Sequence, residues 1–131
     1  MTQVGVEWAK MVVEGNTATR GATVVVLSWN PALAETRRRL LVADGYVVES
    51  LVGLDGIRGL EHISEADLLV LAHSVPIEQK ERALKLFKRR SRSPVLSLLS
   101  HHQIKIPEAD YGVEAYSPAE FLDAVKAILR T

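Results

Sequence analysis

The chain has no cysteine, which excludes a disulfide framework, a thiolate nucleophile and sulfur-ligated zinc. It has no net charge either: 16 Lys and Arg balance 16 Asp and Glu, so nothing general draws it to nucleic acid or to an anionic membrane. No apolar run approaches the length of about 18 residues that a membrane-spanning helix needs. The N-terminus lacks the basic start and long apolar stretch of a signal peptide, and a cytoplasmic address is expected. Internal repeats and low-complexity linkers are absent as well. With 131 residues, 47% of them hydrophobic, the chain has room for one core of two or three layers.

What is present is an alternation of apolar runs and helical periodicities. "ATVVVLSW", residues 22–29, is β-branched and reads as a buried strand, and "NP" after it supplies a helix cap at Asn30 and a first helical residue at Pro31. Leu33, Arg37, Leu40 and Leu41 fall on one stripe of that helix, with Gly45 as its stop. "YVVESLVG", 46–53, reads as a shorter, more polar edge strand, and Ile57, Leu60 and Ile63 mark a short second helix. The apolar run behind Asp67, ending "AHSVP", is a third strand. Pro76 begins a third helix with Ile77, Leu84 and Phe87 as its apolar positions among Lys80, Lys85 and Lys88. "SPVLSLLS", 93–100, and "YGVEA", 111–115, are the fourth and fifth strands. In "SPAE" Ser117, Pro118 and Glu120 form a capping box for a last helix carrying Phe121, Leu122, Val125, Ile128 and Leu129.

Strands alternating with helices imply right-handed crossovers and a parallel sheet covered on both faces. Five such units fit a flavodoxin-like three-layer α/β sandwich with strand order 2-1-3-4-5, whose site lies at the carboxyl ends of the strands. That places Ser28, Trp29, Ala72, His73, Ser100 and Glu114 at the candidate site. No Gly-rich phosphate loop follows the first strand, where the sequence reads "SWNPA", and this weakens any nucleotide reading. The fourth crossover has only ten residues between Ser100 and Tyr111, "HHQIKIPEAD", with Pro107 among them, so a reduced or irregular crossover is expected there.

From about Ala22 to Leu129 the chain resembles the receiver domain of two-component response regulators. "DLLVLAHSVP" stands where that family has an acid, an apolar run, the phospho-accepting Asp and a later proline. "VLSWNPAL" resembles its first strand and acidic pair, "PVLSLLS" its fourth strand, and "YGVEAYSPAEFLDAV" its fifth strand and last helix. The resemblance implies that the phosphorylation site has degenerated. Ser28 and Trp29 occupy the places of the acidic pair, Ala72 that of the acceptor, Leu99 that of the strand-four hydroxyl with Ser100 adjacent, and Glu114 that of the lysine. Aspartyl phosphate chemistry needs a carboxylate, a divalent metal held by its neighbours and a fixed cation. With all four parts changed, neither phosphoryl transfer nor a cofactor or metal is expected. The family's output face includes the last strand and helix, and Tyr116 and Phe121 are the candidate contact residues on it.

Other chemistries remain open beside plainer readings. His73, His101 and His102 come from adjacent strand ends and could converge on a metal or small ligand. Polar loop residues at a sheet edge are the plainer reading, because no acid stands at a recognisable spacing. A phospho-accepting His73 would need a helical bundle face that this pattern does not offer. The cations in "KLFKRRSRS", 85–93, and in "TRRRL" read as solvated helix ends, so a nucleic-acid partner is not expected. Residues 1–21 form an extension outside the 22–131 domain, in which Val4, Trp8, Met11 and Val12 are spaced for a short amphipathic helix or belong to a loose tail.

Two functions follow. One is a non-enzymatic pseudo-receiver acting through protein contacts, with a homodimer among the options and no membrane association. The other is a small-molecule or metal-binding domain that uses the strand-end histidines and Ser100.

Overall fold

The computed structural model describes residues 21–63, 65–100, 103–114 and 117–130. Among these residues five strands and four helices follow one another. β1 is Thr23–Ser28, α1 Pro31–Ala43, β2 Val47–Val52, α2 Gly53–Leu60, β3 Leu68–Leu71, α3 Ile77–Lys88, β4 Val95–Leu98, β5 Tyr111–Val113 and α4 Pro118–Arg130. All the strands pair in parallel, in the order β2-β1-β3-β4-β5. This is the expected flavodoxin-like arrangement. The amphipathic pattern of the N-terminal extension lies outside the described residues, as do His101, His102 and Tyr116.

Local chemistry sets the helix boundaries. The Asn30 side chain accepts the Leu33 N–H at 3.1 Å, and Pro31 takes the first turn without needing a backbone donor. Beyond Asp44 the chain turns through Gly45 at φ 99°, and the Gly45 N–H closes back on the Val42 carbonyl. A left-handed residue there favours glycine. At the other end Ser117 and Glu120 form the reciprocal capping box, with bonds of 3.0 and 3.1 Å. Two details differ from the sequence reading. β2 is as long as β1, and Ile63 lies past the end of α2.

Alternate residues of the central strands feed two cores. Val25, Leu27, Leu69, Leu71 and Val95 face α2 and α3, where Ile57, Leu60, Leu84 and Phe87 meet them. Val24, Val26, Leu68, Val70 and Leu96 face α1 and α4, which supply Leu41, Phe121 and Val125. Each fully buried aliphatic side chain contributes about 1.5–3 kcal/mol. These cores keep the strand ends in register: Leu27 lies beside Leu71, and Leu71 beside Ser97.

Among the described residues, the crossover from β4 to β5 contains no helix. Ile106 and Ala109 turn inward and close part of the core that faces α2 and α3. The Lys105 stem lies over Gly112, and its ammonium donates to the carbonyls of Ile106, Pro107 and Ala109 at 3.2, 3.4 and 2.8 Å. Asp110 accepts the Val95 N–H at 2.8 Å and the Lys88 ammonium at 2.9 Å. Apolar cover and backbone satisfaction, which a helix provides together, are here divided between different side chains.

Candidate functional site at the carboxyl ends of the strands

β1 ends in Ser28, which is fully buried. Its hydroxyl accepts the Asn30 N–H at 3.0 Å, lies 3.2 Å from the Asn30 carbonyl, and meets the Ser74 hydroxyl at 3.2 Å. The Ser74 oxygen also accepts the Trp29 N–H at 2.9 Å. The loop after β3 is thereby fastened to the loop after β1. Beneath it Ala72 is 0% exposed, its N–H bonded to the Leu27 carbonyl and its methyl group part of the apolar core. Trp29 is half-buried and packs against that same core. Hydroxyls, an indole and a methyl group therefore converge here, without a carboxylate from β1 or β3.

At the end of β4 the Leu99 N–H bonds the Val113 carbonyl. The Ser100 N–H donates to Gln103 Oε1 at 2.9 Å, and Gln103 Nε2 reaches the His73 carbonyl at 3.5 Å. Gln103 thus ties the β4 loop to the β3 loop. Glu114 follows β5 in an exposed position. His73 is half-buried, and burial, reinforced by the charges of Arg37 and Lys80, holds its pKa below the ordinary histidine value. The described residues contain no group of three or more side chains able to hold a metal.

Phe121 does not stand out on an exposed face. It is 3% exposed and belongs to the core between α1 and α4, because the stripe that carries it faces the sheet. The basic runs divide in the same way. Lys85, Arg89, Arg90 and Arg92 are exposed, whereas Lys88 turns to Asp110. In α1, Arg38 and Arg39 share Glu35 and hold its carboxyl down to about 2, while Arg37 is half-buried.

Sequence reasoning missed Lys80, Ser74 and Gln103. Ile77, expected on the apolar face of α3, is 48% exposed, and Lys80 is 2% exposed in its stead. The Lys80 ammonium donates to Ser97 Oγ at 2.9 Å and to the Leu98 carbonyl at 3.0 Å, and burial pulls its pKa down to about 8. One signal was available: Lys80 stands three and four residues from Ile77 and Leu84, and Ser97 interrupts an otherwise apolar strand. A polar residue on each of two apposed apolar surfaces suggests a pair.

No family model matches the chain, and no curated protein matches it. Solved structures do. A response regulator receiver domain protein of Clostridium thermocellum superposes with a TM-score of 0.70 at 15% identity, over 83% of this chain and 94% of that one. The receiver domain of a sensor histidine kinase of Pseudomonas aeruginosa, solved with magnesium coordinated in its active site cleft, gives 0.68 at 16% identity, over 85% and 99%. The receiver domain of the hybrid histidine kinase CckA gives 0.67 at 18%, over 82% and 99%. The class defined by the sheet and its helices is the CheY-like receiver fold. These neighbours are receiver domains of two-component signalling, and what the chain shares with them is the fold.

Among the described residues no helix is long and apolar enough to cross a membrane.

Proposed function

We propose that this chain is a non-enzymatic, phosphorylation-independent receiver-like module, regulatory or signalling in role, that acts through protein contacts in the cytoplasm, with a second copy of itself as one candidate partner. The observation that carries this reading is the Ser28–Ser74 hydroxyl contact above a buried Ala72. The similar receiver of Pseudomonas aeruginosa coordinates magnesium in its cleft. The residues of this chain do not fit such an ion. Hard divalent cations select carboxylate and carbonyl oxygens, and Ser28, Trp29 and Ala72 offer no carboxylate, while both serine hydroxyls are already engaged. Nor can a methyl group accept a phosphoryl group. A receiver switches because phosphorylation adds about 1.5 to 2 negative charges at one point, and Ala72 removes that point of entry.

The test is incubation with acetyl phosphate and magnesium followed by intact-mass measurement. The expected result is an unchanged mass, and stoichiometric gain of one phosphoryl group would overturn the reading. Size-exclusion chromatography with light scattering then separates a self-associating module from one that needs another partner.

A further inference from the structure

α1 and α4 lie on the same face of the sheet, and a cleft of about 120 Å³ opens between them. Its walls are largely apolar: Leu33 and Leu40 from α1, Pro118 and Phe121 from α4. Its polar residues are Thr36, Arg37 and Ser117, and among the described residues no acid lines it. The Thr36 hydroxyl is turned to the Ala32 carbonyl. Ser117 Oγ accepts the Glu120 N–H.

Arg37 makes this more than an apolar crevice. Its guanidinium carbon sits 5.9 Å from the centre of the Phe121 ring, a cation–π arrangement that fixes the planar group against one wall. Nη1 is buried and has no acceptor among the described residues. The nearby carboxylate of Glu35 is taken by Arg38 and Arg39. Burial moves Arg37 below its ordinary pKa, the direction expected of a cation without a partner. A charged donor withdrawn from water and left unpaired is costly, and an acceptor that satisfies it recovers that cost.

We propose that this cleft is a binding site for a small monocarboxylate with a short apolar stem, the carboxylate on Arg37 and the stem against Leu33, Leu40 and Phe121. Guanidinium geometry favours a carboxylate. One cation balances one negative charge, so a phosphate dianion would be left half-neutralised among apolar walls. Because the first turn of α4 forms one wall, an occupant joins α4 to α1. Neither Ser28 nor Ser74 lines the cleft, and the proposal does not depend on the proposed function.

The test uses the full chain with sodium butyrate as the probe and butyramide as its neutral counterpart, read by thermal melting and isothermal calorimetry. Butyrate is expected to raise the melting temperature saturably in the millimolar range, as linkage requires of a ligand for the folded state, and butyramide to leave it unchanged. Arg37→Gln is expected to weaken binding by about tenfold or more. Thr36→Phe, which fills the cleft from its rim and leaves Arg37 in place, is expected to do the same with an unchanged circular dichroism spectrum, and it decides the matter if Arg37→Gln does not fold. No saturable response to butyrate, an equal response to butyramide, or undiminished binding by Thr36→Phe would each overturn the proposal.

Discussion

Ser28 and Ser74 bring their hydroxyls to 3.2 Å across the carboxyl end of β1 and the loop after β3. Two backbone donors depend on the same pair, since Trp29 N–H goes to Ser74 and Asn30 N–H to Ser28. Replacing Ser74 with Ala leaves the Trp29 donor without its acceptor. The expected loss is roughly 1–3 kcal/mol, measured as a lower urea midpoint at unchanged slope. An unaltered midpoint would show that the contact does not hold the two loops together.

On the proposed reading, Ala72→Asp puts a carboxylate where a receiver carries its acceptor without bringing back the chemistry around it. The position is 0% exposed, so an ionised carboxylate there loses its hydration, and the variant should lose on the order of 2 kcal/mol or more at neutral pH. Burial raises a carboxyl pKa, so the folded form binds the proton more tightly and the deficit should shrink as pH falls. The variant is also expected to take up no phosphoryl group from acetyl phosphate with magnesium. A gain of one phosphoryl group would mean that Ala72 alone had silenced the site.

Lys80 predicts a pH dependence with a definite sign. Its pKa falls from 10.5 to about 8 on folding, so between those values the unfolded chain binds a proton that the folded chain does not. Stability therefore rises as pH climbs through that window, by about 1.4 kcal/mol for each unit of separation at most. Lys80→Met should abolish the slope. It also leaves Ser97 Oγ and the Leu98 carbonyl without their donor, so its stability near neutrality should change less than its slope. Tyr46, raised by burial, works in the opposite sense near pH 10 and above, which makes about 7.5–9.5 the range for chemical denaturation. An equal slope in the variant would assign the effect to another group.

Gly56→Ala should destabilise, although alanine is the better helix former by about 1 kcal/mol. A Cβ at Gly56 would lie 2.9 Å from Leu27 Cδ1 and 2.9 Å from the Leu51 backbone carbon. The backbone cannot yield as a side chain does, and overpacking of this kind costs roughly 1–3 kcal/mol. A higher melting temperature for the variant would show that α2 can lift from β2 freely.

The sequence made the sheet legible because the signals for it are local. Val24–Leu27 and Leu68–Leu71 announce buried strands, Asn30–Pro31 and Ser117–Glu120 announce helix starts, and Pro107 in a short connection announces the reduced crossover. The strand-end placement of Ser28, Trp29 and Ala72 was legible from where the apolar runs stop. What joins those residues was not. Ser74 pairs with a residue 46 positions away, and Gln103 reaches back 30. A polar loop residue carries no mark of so distant a partner. Lys80 misled for another reason: its long apolar stem lets it sit on either face of a helix, and periodicity alone assigned the inner place to Ile77. Phe121 was read correctly as part of an apolar stripe but was expected on an exposed face, and the stripe does not say which neighbour it meets.

The placement of the lysines makes the molecule a graded reporter of its own opening. An amine reacts with an acylating reagent only when it is exposed and unprotonated. Lys85 stands in solvent, Lys88 is held at the surface by Asp110, Lys105 is folded over the crossover carbonyls, and Lys80 lies between α3 and β4. Under dilute reagent their acylation should follow that order, with the first three reporting local fluctuations. Lys80 should react only when α3 separates from the sheet, so its rate is a clock for the opening of the core, read by peptide mass.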